Sequence, residues 1–389
     1  MAAALDILAE LLRNYAGQAR QLGDSGLAVV LDNLVNHAPG TLHEAMQLMF
    51  LYNSLSTSLN FGRMDDYLGE FLVADLAARR LDETQAQDLV TALWRMIGRR
   101  SGNKWDGRVI IGGLGRHNEA AANRLALLAI EATRRTRDIL PQLTLRFHKE
   151  QDPALLEKAW DAIAEGTSFP MLYNDEVNVP AVMKAFGLPR EEAVHYLPFG
   201  CGEYIINHRS VGTPSGIINL LKAVEAVIHD GWDPETGHEI GLHQGKLEDY
   251  PSFDALWAAY DRQVTYLVRA LAHQEALEYR VAGETAPFLL FSILFDDCIA
   301  RSRPVFAGGI RYLGGTLESY GDTNAADSLT AINELVFTRR TIKAGELRLA
   351  LQDNFASREA LRQLCRQAPK YGNDDDIADT MRQRVHSHI

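Results

Sequence analysis

Between residues 105 and 201 four short β-prone runs, RVIIGG, QLTLRFH, FPMLYND and HYLPFGC, alternate with helical stretches. A parallel pair of strands needs a crossover long enough to hold a helix, so this alternation predicts an α/β fold, a wound sheet or barrel with helices packed on it. The clearest crossover is AANRLALLAIEATRRTRD, with apolar residues at 125, 128, 129 and 132 on one helical face. The first eighty residues read as helix, from Leu5, Leu8, Leu11 and Leu12 through LHEAMQLMFLYNSL. Asp82 followed by Gln85 predicts a capping box for a helix whose stripe is Ala86, Leu89, Val90, Leu93 and Ile97, up to Gly98. The expected organisation is a helix-rich part over 1–104 and an α/β core over 105–389. Within the core, GIINLLKAVEAVIHDG predicts a helix closed by Gly231, PFLLFSILF and RPVFAGGIRYLGG predict strands, and NAADSLTAINELVFTRR predicts a capped helix. The run Asp374, Asp375, Asp376 predicts a solvated turn.

With 389 residues, 47% of them hydrophobic, the chain has material for more than one packed unit. A formal charge of −12 argues against nucleic acid and anionic membrane as partners. No apolar run reaches the roughly 18 residues of a membrane helix, and the opening MAAALDILAELLRNYAG lacks a basic leader, so a cytoplasmic location is expected. Only three cysteines occur, Cys201, Cys298 and Cys365, without the paired spacing of a disulfide framework, a zinc site or an iron–sulfur cluster. No metal is expected, and a cysteine that matters here acts alone.

The most informative stretch for this question is HYLPFGCGEYIINHRSVGTPSGIIN at 195–219. Cys201 stands between Gly200 and Gly202, which allow a tight turn, and Glu203 is two residues on, on the same side of an extended segment. A structural cysteine beside a surface glutamate fits the same residues. His208, in the segment after this loop, is a candidate substrate contact. GGLGRH at 112–117 lacks the spacing of a dinucleotide fingerprint and the lysine of a phosphate loop. His43 and Glu44 lack a second zinc histidine, and His195 and His273 show no ligand spacing.

Five motifs in order, FGRMDDYL at 61–68, GCGE at 200–203, GWDPETGHEIG at 231–241, NAADSLTAINELVF at 324–337 and APKYGNDDD at 368–376, resemble the pyruvate formate-lyase-type domain of glycyl radical enzymes. The cysteine loop is closer to that of the diol dehydratase-like members. The resemblance implies a partial barrel of two parallel half-sheets surrounded by helices, with Cys201 as the thiyl residue and Glu203 as a proton-transferring carboxylate. It implies elimination or decarboxylation of a small organic substrate during anaerobic metabolism, a homo-oligomer, and a radical-SAM activating enzyme as partner. No cofactor is expected on the chain itself.

The departures narrow this. Gly200 stands where pyruvate formate-lyase has a second cysteine, which argues against formate acetyltransferase-like carbon–carbon cleavage. At the His-Ser pair of glycerol and diol dehydratases the chain has Thr57 and Ser58, and their later aspartate falls near Pro214 or Ser215. Thr57, Ser58, His208 and Ser215 are therefore the candidate substrate-binding residues. An R-V-x-G-Y radical motif is not found after KYGND, so the glycyl radical is expected from a missing segment or from a separate glycine radical domain chain. RVAG at 280–283 is followed by Glu284 where the motif has an aromatic residue. Two other readings stay open: a cysteine-nucleophile hydrolase using His208 as base, and a non-catalytic scaffold.

Overall fold

The computed structural model describes residues 2–56, 60–101, 107–200, 202–212 and 215–388. The first elements are α1 (Ala2–Gln21), α2 (Ser25–Asn36), α3 (Leu42–Ser56), β1 (Asn60–Arg63), α4 (Met64–Ala77) and α5 (Glu83–Ser101). Then come β2 (Arg108–Gly112), α6 (Glu119–Thr136), β3 (Leu143–Phe147), α7 (Pro153–Ala164), β4 (Met171–Asn174), α8 (Asp175–Phe186) and α9 (Arg190–Ala193). Three short strands follow, β5 (Tyr196–Phe199), β6 (Glu203–Ile206) and β7 (Ser210–Val211), before β8 (Ser215–Asn219), α10 (Leu220–Ile228) and α11 (Phe253–Thr285). The last are α12 (Leu289–Ser292), α13 (Asp296–Arg301), β9 (Tyr312–Leu313), β10 (Thr316–Tyr320), α14 (Asp322–Ile332), α15 (Ala344–Gln352), α16 (Glu359–Gln367) and α17 (Asp376–His388).

The chain divides into two compact units, one of residues 1–212 with 282–314, the other of 213–281 with 315–389. The first is built on a parallel sheet of order β1-β2-β3-β4, in which each crossover carries a helix. The strands β2 and β3 are buried along almost their whole length, the polar Thr144 and Arg146 of β3 alternating with Leu143 and Leu145. Val109, Ile111, Leu143 and Leu145 are fully buried against Trp94, Ile97, Leu125, Ala129 and Ile130 from α5 and α6. β1 pairs with β2 through Asn60 and Arg108, so the helix-rich first part itself supplies a strand to the sheet.

The capping signal of α5 acts as the sequence predicts. Gln85 N–H donates to Asp82 Oδ1 at 2.8 Å and Asp82 N–H to Gln85 Oε1 at 3.0 Å, a reciprocal box that contributes about 1 kcal/mol to α5. α5 nevertheless runs past Gly98 to Ser101, and Gly98 lies against the Leu140 carbonyl, where an added Cβ would sit 3.3 Å away, so this glycine serves packing and not a helix end. PFLLFSILF is a short helix, α12, and turns instead of a strand. Ser292 Oγ donates to the Phe288 carbonyl at 2.9 Å and accepts from Val305 N–H at 3.0 Å, so a buried hydroxyl fixes the bend. Gly283 of RVAG lies inside α11 with the Phe306 carbonyl 2.8 Å from where its Cβ would be, a close-packed helical glycine.

In the second unit β8 and β10 pair in parallel from Ser215 with Thr316 to Asn219 with Tyr320. The run expected to be one helix up to Gly231 therefore begins as a strand. Asn219 makes the change: its Oδ1 accepts from the N–H groups of Leu221 and Lys222 at 3.0 and 3.3 Å and starts α10 there. Leu220, Ala223, Val224, Leu256, Tyr260, Leu329 and Ile332 form the core of this unit. α14 begins at Asp322 after Gly321, with no side-chain cap, and continues into a π-helical turn over Asn333–Thr338. The acidic run lies at the surface, and Asp375 Oδ1 accepts from Ile377 N–H at 3.0 Å at the start of α17.

Candidate active site

β5 and β6 form an antiparallel hairpin that pairs Tyr196 with Ile206 and Phe199 with Glu203. Its turn is closed by Gly202 N–H donating to the Phe199 carbonyl at 2.8 Å. Gly200 and Gly202 have φ of +51° and +133°, and the second value is open only to glycine.

Two arginines hold this hairpin on the sheet. At its root, Arg146 of β3 donates to the Tyr196 carbonyl at 2.8 Å and the Val194 carbonyl at 3.0 Å. Arg146 is paired with Asp175 through Nε and Nη2 at 3.0 and 2.8 Å, and Tyr196 Oη donates to the same carboxylate at 2.7 Å. At the tip, Arg108 Nε donates to the Gly200 carbonyl at 2.7 Å, and Gly200 N–H donates to Asn60 Oδ1 at 3.2 Å. Asn60 and Arg108 are paired at the first residues of β1 and β2, whereas Arg146 pairs with Gly112 at the far end. The hairpin thus crosses the sheet from its carboxyl edge to its amino edge, with the glycine turn at the amino edge.

The Glu203 carboxylate folds back over this turn. Its Oε2 accepts from Gly202 N–H at 2.9 Å, and an added Cβ at Gly200 would be 2.7 Å from the same oxygen. The Tyr173 hydroxyl, at the middle of β4, closes the other side of Gly202, 2.8 Å from where a Cβ would be. Burial raises the Tyr173 phenol above its ordinary range, the Arg108 guanidinium opposes the rise and the Glu203 charge adds to it. A carboxylate, a phenol and a buried guanidinium therefore surround two glycines.

GGLGRH lies at the carboxyl ends of these strands, where an anion site would be expected in an open α/β sheet. Its amides are already used. Gly112 N–H donates to Asp65 Oδ2 at 2.7 Å, Gly113 N–H to Gln151 Oε1 at 2.9 Å and Leu114 N–H to Asp175 Oδ2 at 2.7 Å. Arg63 donates to the carbonyls of Gly112 and Leu114 at 2.7 and 2.8 Å, and Asp66 accepts from His117 N–H at 2.7 Å. FGRMDD is thus the clamp of this loop. Its enclosure pushes the Arg63 guanidinium down to about 10 through burial and the neighbouring Arg146 charge, and burial raises the Asp65 carboxyl.

Of the residues singled out in the sequence, Glu203 stands at the hairpin tip. Cys201, Thr57 and Ser58 lie outside the described residues. His208 follows β6, at the opposite end of the hairpin, with φ of +59° and its Nδ1 2.8 Å from the Leu294 carbonyl. At about 3.3 Å per residue the intervening strand holds it well away from Glu203, so the structure offers no support for His208 as the base of a hydrolase. Ser215 is exposed at the start of β8, in the second unit. Arg108, Arg146, Asp175, Asn60 and Tyr173 were not singled out. The available signal was a charge inside an otherwise buried strand, Arg108 leading RVIIGG and Arg146 within QLTLRFH, since arginine is almost never fully buried without partners. Among the described residues no group of three His, Cys, Asp or Glu side chains is placed to hold a metal ion, and no helix is long and apolar enough to cross a membrane. Cys298 is fully buried, and burial pushes its thiol and that of Cys365 above the ordinary range.

The family model described as pyruvate formate lyase-like matches residues 1–389. The chain belongs to that family. Among curated relatives, trans-4-hydroxy-L-proline dehydratase of Clostridioides difficile is 27% identical over 99% of this chain and 53% of its own length. Isethionate sulfite-lyase of Nitratidesulfovibrio vulgaris is 30% identical over 88% of this chain and 44% of its own. The chain thus spans about half the length of the curated relatives it matches. A solved structure for 1,2-propanediol dehydration in Roseburia inulinivorans matches with a TM-score of 0.85 and 25% identity, covering 99% of this chain and 52% of the other. For this pyruvate formate lyase-like chain the expected fold class is borne out: α/β, with parallel strands in each unit and helices packed on them.

Proposed function

We propose that this chain forms the cysteine and carboxylate side of a glycyl radical lyase that acts by elimination on a small polar organic substrate. The observation that carries the reading is the Glu203 carboxylate, folded over the glycine turn two residues beyond Cys201 and bound to the backbone of that turn. A glycyl radical, installed by a radical-SAM activating enzyme, would supply the hydrogen-atom acceptor. Cys201 relays the hydrogen atom to and from substrate. Glu203 moves the proton that an elimination has to move, taking it from a substrate hydroxyl or returning one to the leaving group. The buried guanidinium of Arg108 holds the turn and that of Arg146 the root of the hairpin, which fixes the Glu203 carboxylate for its substrate. The names of the relatives support elimination over carbon–carbon cleavage, a dehydratase losing water and a sulfite-lyase losing sulfite.

The test is a pair of substitutions in the complete, radical-loaded enzyme. Cys201→Ser abolishes turnover, because an alkoxyl radical is too costly to reach. Glu203→Gln lowers product formation about a hundred- to ten-thousandfold, while exchange of hydrogen between substrate and the relay survives. Full turnover in Glu203→Gln would refute the eliminase reading and leave Glu203 as a backbone partner of the turn.

A further inference from the structure

At the hairpin tip one hydroxyl beside the Glu203 carboxylate has no part in holding the fold. The Tyr173 hydroxyl makes no hydrogen bond among the described residues. Its ring is held by edge packing on Tyr204, with centroids 6.3 Å apart and planes at 71°. Tyr204 is fixed in turn, its own hydroxyl donating to Asn178 Oδ1 at 2.6 Å. A rigid ring therefore presents a free donor to the turn. Gly202 permits the approach, since any side chain there would meet the hydroxyl at 2.8 Å. The same glycine donates its N–H to the Glu203 carboxylate, so phenol and carboxylate converge on one residue from two different strands.

We propose that Tyr173 is a substrate-binding residue of this site, its hydroxyl donating a hydrogen bond to an oxygen of the substrate while Glu203 handles the proton. The assignment rests on the eliminase reading of Glu203 and adds to it a donor that fixes which substrate oxygen lies next to the carboxylate. A phenol is well suited to this role, because it donates throughout the working pH range and has only two side-chain torsions to order. The burial that raises its titration also keeps it a donor under alkaline conditions. A free hydroxyl held on a packed ring recognises oxygen-bearing substrates such as alcohols, hydroxy acids and sulfonates, and gains nothing from a hydrocarbon.

Two measurements decide it. In the chain as it stands, tyrosine ring-carbon resonances assigned with Tyr173→Phe are titrated with and without Glu203→Gln. Removal of the neighbouring charge shifts the Tyr173 midpoint downward, and an unmoved midpoint would show that the two groups do not share a site. In the complete radical-loaded enzyme, Tyr173→Phe is assayed on whichever of trans-4-hydroxy-L-proline, isethionate and 1,2-propanediol the wild type converts. KM rises about three- to tenfold, the worth of one neutral hydrogen bond, with kcat reduced far less than by Glu203→Gln and the melting temperature unchanged. Wild-type KM in Tyr173→Phe, with Glu203→Gln still impaired, overturns the Tyr173 assignment alone. Full turnover in Glu203→Gln overturns the eliminase reading instead, and a lowered melting temperature in Tyr173→Phe would make the hydroxyl structural.

Discussion

Arg146 and Asp175 form an ion pair with no side-chain exposure on either partner, Nη2 to Oδ2 at 2.8 Å. Every remaining bond of the pair goes to the root of the β5–β6 hairpin or to the GGLGRH loop: the carbonyls of Val194 and Tyr196, the Tyr196 hydroxyl and the Leu114 amide. One carboxylate on α8 and one guanidinium on β3 thus set the register of the hairpin whose far end carries Glu203.

Removing half of such a pair leaves a buried charge without its partner. Asp175→Ala is expected to cost about 3–5 kcal/mol of stability, read by urea denaturation. The double substitution Arg146→Met with Asp175→Leu, which removes both charges, is expected to cost clearly less. A loss below about 1 kcal/mol in Asp175→Ala would mean that solvent reaches Arg146.

Gly212 is needed for space. An added Cβ would fall 1.9 Å from Phe199 Cζ, deep inside contact distance of the ring that ends β5. Gly212→Ala is expected to destabilise by about 1–3 kcal/mol through overpacking, and Phe199→Leu in the same chain to recover part of it. Equal losses in both backgrounds would place the strain elsewhere.

His195 sets a pH dependence of definite sign. Burial, then the charges of Arg63, Arg209 and Arg146, hold its imidazole below the ordinary range. The unfolded chain, with histidine near about 6.5, binds the proton more readily. Stability from this group is therefore full above the unfolded value and falls as pH drops toward the lowered folded one. His43 and His229, also lowered by burial, act in the same direction. Denaturation midpoints between pH 5 and 8 are expected to rise with pH, with a shallower slope in His195→Gln. An identical slope in the variant would assign the dependence to the other histidines.

The GGLGRH loop, with its amides bound to Asp65, Gln151 and Asp175, is expected to ignore phosphate. Adenosine triphosphate at about 1 mM should leave the melting temperature unchanged, whereas a ligand present at a hundred times its Kd would add about 2.7 kcal/mol. A clear upward shift would show that a nucleotide displaces those side chains.

The alternation of β-prone runs and helical stripes was enough to place β2 to β5 and the helices around them, because short runs rich in β-branched and large apolar residues between turn residues favour strands and a capped amphipathic helix has little choice of ends. The same local rules misplaced Gly216–Asn219 and PFLLFSILF. There β-branched or aromatic residues carry no preference strong enough to decide, and a partner strand at 316–320 in one case and the Ser292 hydroxyl in the other made the choice. At the hairpin tip the two glycines of the turn were legible in the sequence, since glycine carries its conformational meaning wherever the chain goes. The sequence contained no statement that Arg108 reaches Gly200 from 92 positions away, that Arg146 and Asp175 meet in the dry interior, or that Tyr173 stands over Gly202. Those pairings belong to strands brought side by side by crossovers. Only the tertiary structure decided them, because burial turns a distant charge into an obligatory partner and packing sets which ring stands over which turn.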